Sequence, residues 1–146
     1  MFKKILILPL LLLVQFSWSQ ITIIGHTEMN TYPLNNVKVI VKENNAIIQT
    51  LNTGKKSSFN LALAFDKKYS VYLQHQDCPV MFFEVDSKNI PADKQSIKMI
   101  HELDIPFYHV LDEDIDTTRF AQPCQKIYFD GKSKMVSDTG YINSFY

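Results

Sequence analysis

Asp112, Asp114 and Asp116, in the run DEDID, fall where a helix-loop-helix calcium loop places its first three carboxylate ligands. That loop also needs a glycine at its sixth position, for a sharp turn, and a bidentate glutamate at its twelfth. Those positions hold Thr117 and Pro123, and strand-like sequence flanks the run instead of helices. The expectation is an acidic, solvated turn leading into a last strand, with no metal assigned.

The remaining chemistry-bearing residues are sparse. The four histidines are His26, His75, His101 and His109. None has a glutamate three residues on, and no histidine follows His109, so the three-ligand zinc pattern of a metallopeptidase is missing. His75 and His101 each share a strand face with apolar residues. They would meet as a transition-metal pair only if their strands were neighbours. Ser57-Ser58 beside Lys55-Lys56 offers a hydroxyl next to cations but no base, and reads as a solvated hairpin turn. The chain has four glycines, no phosphate-cradling loop, no Gly-x-Ser-x-Gly elbow and no Cys-x-x-Cys pair. No catalytic residue and no cofactor is assigned, and the protein reads as a non-enzyme.

The elements that carry these residues follow a period of two. Val37, Val39 and Val41 alternate with Lys38, Ile40 and Lys42; Phe59, Leu61, Leu63 and Phe65 with Asn60, Ala62 and Ala64; Tyr69, Val71 and Leu73 with Ser70, Tyr72 and Gln74. Such alternation buries one face of a strand and exposes the other. Turn signals separate the runs at Pro33-Leu34-Asn35-Asn36, Asn44-Asn45, Asn52-Thr53-Gly54 and Asp66-Lys67-Lys68. Further strands are expected over 80–86, 96–103 and 126–130. The fold class is all-β, an antiparallel sandwich of about seven strands.

The N-terminus carries an address. Met1-Phe2-Lys3-Lys4 precedes an apolar run from Ile5 to Val14, and Ser17 and Ser19 put small residues where a signal peptidase reads. Pro9 and Gln15 leave this run short of the roughly 20 apolar residues of a membrane span. Residues 1–19 are expected to be a cleaved signal peptide, the mature chain to begin at Gln20, and no transmembrane segment to remain. The destination is then the periplasm or the outer envelope. The sequence of 146 residues balances 15 basic against 15 acidic residues, and loss of Lys3 and Lys4 tips it slightly acidic. Arg119 is the one arginine, so a nucleic-acid footprint is missing.

The order of signals has a familiar form. Gly25, then Pro33 through Val41, then Thr50 to Phe59-Asn60-Leu61, then Tyr69-Ser70-Val71 resembles the carboxypeptidase regulatory-like domain, a transthyretin-like β-sandwich of Bacteroidota envelope proteins. The resemblance spans about residues 21–86, and the run from Pro123 to Asp130 resembles the tail that follows such domains. Asn36 and Ser57 stand where that family usually has glycine, and Asp77-Cys78 replaces a Gly-aromatic pair. The resemblance implies an accessory domain without catalytic activity, spanning residues 20–90, with residues 91–146 as an extension adding one or two strands.

Two features leave alternatives open. Cys78 and Cys124 are the only cysteines. In an oxidising compartment a disulfide between them would tie the tail to the sandwich and remove roughly 4 kcal/mol of unfolded-state entropy; the alternative is two buried thiols acting as small hydrophobes. The aromatics Tyr32, Tyr72, Phe82, Tyr108, Tyr141, Phe145 and Tyr146 would serve either a core or a sugar-stacking surface. The function expected is a structural or protein-interaction module of the cell envelope, binding through loops or a strand edge, with residues 141–146 as one such end. The alternative is a small glycan-binding module.

Overall fold

The structure, a computed structural model, describes residues 20–109 and 117–138. The expected leader, the DEDID turn and residues 141–146 lie outside the described residues.

Two sheets face one another. The first is built on β1 (Gln20–Met29), which pairs along one edge with β5 (Ser58–Ala64) and the short β2 (Tyr32–Pro33), and along the other with β8 (Met99–Phe107). The second runs in the order β10 (Met135–Ser137), β9 (Lys126–Phe129), β7 (Met81–Asp86), β6 (Lys68–Gln74), β3 (Lys38–Glu43) and β4 (Ala46–Asn52). A short 3-10 turn, Thr117–Ala121, precedes β9. The all-β sandwich read from the alternation is present, with more strands than anticipated. Most pairings are antiparallel, while β1–β8 and β7–β9 are parallel.

The period-two faces point as their residues require. Ile21 and Ile23 of β1, Val39 and Val41 of β3, Leu61 and Leu63 of β5, Val71 and Leu73 of β6, and Phe83 and Val85 of β7 are buried in one continuous core. Met99, Leu103, Ile105 and Phe107 of β8, with Ile127 and Met135, join that same core, so the stretch after residue 90 contributes to both sheets.

Turn geometry follows side-chain chemistry. Asn44 and Asn45 link β3 to β4 with φ of 49° and 65°, the two positive values that a two-residue hairpin with the proper twist requires. Asn36, Ser57 and Asp77 also have positive φ, at 58°, 51° and 60°. These are the three positions where the family resemblance would have glycine. Asn and Asp tolerate this region better than most residues, because their short polar side chains bond locally. Ser57 is held by its surroundings: its N–H donates to Gly54 O at 3.0 Å, and its hydroxyl meets the Asn35 amide, which in its satisfied orientation also donates to Gly54 O and Lys55 O. Thr27 N–H in turn donates to Ser57 O at 2.8 Å, and the Thr27 hydroxyl lies 2.7 Å from Leu34 O. Thr27, Thr53 and Ser57 thus form a buried polar knot that locks the 33–37 loop onto the 53–57 turn.

Candidate functional site

The two cysteines sit in the same apolar core as free thiols. Cys78 lies in the turn after β6, its N–H donating to His75 O and its Sγ 3.7 Å from His75 Nδ1. Cys124 precedes β9; its N–H donates to Phe82 O at 2.7 Å, and Glu84 N–H donates to Gln125 O at 3.0 Å. Backbone pairing therefore anchors the segment before β9 to β7. Burial pushes the Cys78 thiol up, with Asp77 adding to the effect, and burial pushes Cys124 up to about 12. A thiol acts as a nucleophile only as thiolate, so neither is poised for chemistry at neutral pH.

The histidines are dispersed. His75 follows β6 in the larger sheet and His101 lies on β8 in the smaller, so their strands are not neighbours. His75 Nδ1 is 2.8 Å from Gln76 O. His26 Nε2 donates to Glu102 Oε1 at 2.8 Å across the parallel β1–β8 pair. Among the described residues, no group of three or more His, Cys, Asp or Glu side chains is arranged to hold a metal ion. Ser57 is buried, contrary to the solvated turn expected of it, and its hydroxyl meets an amide instead of a base.

His101 carries a pH consequence. Its Nδ1 lies 3.3 Å from Met135 O, while Nε2 is buried without a partner. Burial holds the imidazole below its ordinary value, partly opposed by the Met135 carbonyl. Above about pH 6.5 both folded and unfolded states hold this group neutral, and its contribution to stability is fully present. As pH falls below that value the unfolded chain takes up a proton the folded one resists, and stability is lost until the folded pKa is passed. Thermal midpoints should therefore fall as pH drops below about 6.5, and His101→Leu should flatten that slope. Parallel profiles for the two proteins would contradict the assignment.

The aromatic residues divide between core and surface. On the outer face of the larger sheet, Thr50, Ile40, Tyr72 and Phe82 are direct cross-strand neighbours. The Tyr72 and Phe82 rings stack at 5.1 Å with planes 19° apart, and Lys42 Nζ lies 4.5 Å from the Tyr72 centroid. Tyr72 thus spends its π-surface on Phe82 and Lys42. Tyr32 and Tyr128 are the more exposed rings, on different sheets.

Two surface features have the character of binding sites. The first is the free edge of β4. Its sequence, AIIQTLN, contains no charge and no proline, and every residue except Leu51 is exposed. Ile47 and Ile48 are 61% and 50% exposed. The β3–β4 register shifts at Val41/Lys42, where Lys42 pairs with Ile47 and Val41 with Gln49, so Ile48 is the extra residue of a bulge. Beyond the bulge the strand runs regularly from Gln49 to Asn52. The second is a groove of about 370 Å³ where β8 approaches the 125–137 segment, lined by Glu28, Glu102, Leu103, Asp104, Pro106, Gln125 and Ser137.

No protein-family model matches the chain, and no curated protein is similar to it in sequence. Among solved structures, the crystal structure of S.CueP superposes with a TM-score of 0.41 at 9% identity, over 62% of this chain. The match likewise spans 62% of that chain's length, and a likeness of this degree supports no functional transfer.

Proposed function

We propose that this protein is an exported, non-enzymatic interaction module of the cell envelope that takes a protein partner at the free edge of β4. The observation that carries the reading is the exposed, uncharged strand Ala46–Asn52 with Ile47 and Ile48 on its surface. Edge strands that must stay solitary are usually blunted with lysine, proline or a bulge. Here the bulge is the one such device within the strand, and it leaves the backbone from Gln49 to Asn52 free to accept an added strand. The signal-peptide pattern of residues 1–19 supports export, and no helix among the described residues is long and apolar enough to cross a membrane. The resemblance to the carboxypeptidase regulatory-like domain finds support in the positive φ of Asn36, Ser57 and Asp77.

The glycan reading finds less support, because Tyr72 is engaged by Phe82 and Lys42. The test is capture from envelope extract by the wild-type protein and by Ile48→Lys, which charges the edge and leaves the core untouched. A partner bound by the wild type should be lost from the variant. Retention of the same partner by Ile48→Lys, or binding on a glycan array with no protein partner, would overturn the reading.

A further inference from the structure

We infer that His101 is an acid-sensitive latch, which holds the end strand β10 of the larger sheet against β8 of the smaller one and releases it when the imidazole takes a second proton. The device is separate from the β4 edge, which bounds the same sheet at its opposite end.

β8 pairs with β1 alone and β10 with β9 alone, and these two end strands lie in contact across the sandwich. Bonds between antiparallel strands come at alternate residues. Asp138 N–H donates to Lys126 O at 2.9 Å and Asp130 N–H to Lys134 O at 3.0 Å, so Met135 falls between bonded positions and its carbonyl turns away from β9. His101 reaches that carbonyl, with Nδ1 3.3 Å from Met135 O. A carbonyl only accepts, so Nδ1 carries the proton of the neutral ring and Nε2 its lone pair. One imidazole thus joins the free edges of the two sheets.

Nε2 is buried without a partner. His101 stands in the core-facing row of β8, between Met99 and Leu103 and in register with Ile23 of β1. None of these neighbours titrates, nor does Met135. The titratable side chains of β1 and β8, His26, Glu28, Glu102 and Asp104, take the alternate positions and therefore the opposite face. On β9, Lys126 and Tyr128 alternate with the buried Ile127, and Lys134 and Asp138 flank β10. No charge on these elements moves the imidazole from its ordinary value: burial lowers it, and the Met135 carbonyl alone opposes.

A second proton would sit on Nε2 as a charged N–H donor with no acceptor, in an apolar wall. Such a group is costlier to bury than the lone pair it replaces. Local relief is at hand, because the ring is only partly covered and β10 is three residues long, paired along one side. If β10 lifts away, the ring reaches water. Above about pH 6.5 the closed and open forms are both neutral, and pH does not bias the latch. Below that value the open form takes up the proton first, and each fall of one pH unit favours opening by up to about tenfold, until the closed form protonates as well.

The test is amide hydrogen exchange followed by heteronuclear NMR at about pH 7 and about pH 5, with rates corrected for the intrinsic pH dependence of exchange. Protection of Val136 and Asp138, the β10-side amides that face β9, should fall about tenfold or more between the two. Val71 and Phe83, in the middle of the larger sheet, should keep theirs, and the His101 ring resonances should titrate together with the β10 amides. His101→Gln, which retains a donor for the Met135 carbonyl and never takes a charge, should abolish the pH dependence. His101→Leu should abolish it too, with β10 less protected at both pH values; if that variant fails to fold, the glutamine variant carries the test. Equal protection of β10 at the two pH values, a pH dependence that survives in His101→Gln, or a uniform loss of protection across both sheets would overturn the latch.

Discussion

Replacing Gly25 by alanine is expected to destabilise the protein by about 3 kcal/mol, the upper part of the range for overpacked cores. In an ordinary strand the sign is opposite, since alanine is favoured over glycine by roughly 0.5–1 kcal/mol. Gly25 lies on the inward face of β1, directly across the antiparallel pair from Phe59. The Phe59 ring lies over the glycine, and a Cβ built there runs into three of its ring atoms. The ring has little room to retreat, because Phe59 is itself buried and stacks on Phe83 of the opposing sheet with centroids 6.3 Å apart. Denaturant unfolding should show a lower midpoint with an unchanged slope. Phe59→Leu in the Gly25→Ala background should restore part of the loss by vacating the ring's place. An alanine variant as stable as wild type would show that the ring does not occupy this position.

Much of the fold was legible because burial imposes a period of two, and the alternating faces of β3, β5 and β6 are written directly in their residues. The Asn44-Asn45 hairpin was legible for a related reason, since few residues other than asparagine and glycine accept positive φ at two successive positions. β4 is not legible as a strand, since AIIQTLN has no alternation, nearly all of it being exposed. β10 is only three residues long, and its one local sign is the Asp130-Gly131 turn. There the Asp130 carboxylate accepts N–H groups of Lys132, Ser133 and Lys134, and those bonds hold it below the usual carboxylate range.

Pairing partners are a different kind of information. Nothing in Met99–Phe107 states that it lies parallel to β1, since a strand's own period specifies which face is buried and not which edge it joins. The groove was illegible for that reason. Glu28 and Asp104 are far apart in sequence and become neighbours only through the parallel β1–β8 register, while Gln125 arrives from a segment bonded to β7. The residues with conspicuous spacing, DEDID above all, carry a local pattern alone. His75 and His101 show how far such a pattern can mislead: facing sheets do bring side chains together, as with Phe59 and Phe83, but the His75 ring meets Phe107 of β8 and not His101.

Phe83→Ala is expected to have the largest effect of any single truncation, about 3–5 kcal/mol. Small domains have a total margin of only about 5–15 kcal/mol, so this variant should be partly unfolded at physiological temperature. Phe83 is fully buried on β7, opposite Val71 of β6, and its ring stacks on Phe59 with planes 17° apart. It is therefore one of the places where the two sheets touch through aromatic rings, and its removal opens a cavity at the interface that joins them. The coupling can be isolated with the gentler pair Phe59→Leu and Phe83→Leu, which keep the core apolar and the protein measurable. If the rings interact beyond simple burial, the double variant should lose about 0.5–1.5 kcal/mol less than the sum of the two singles. Strict additivity would mean that each ring serves its own sheet, and the sandwich would then be held by aliphatic burial alone.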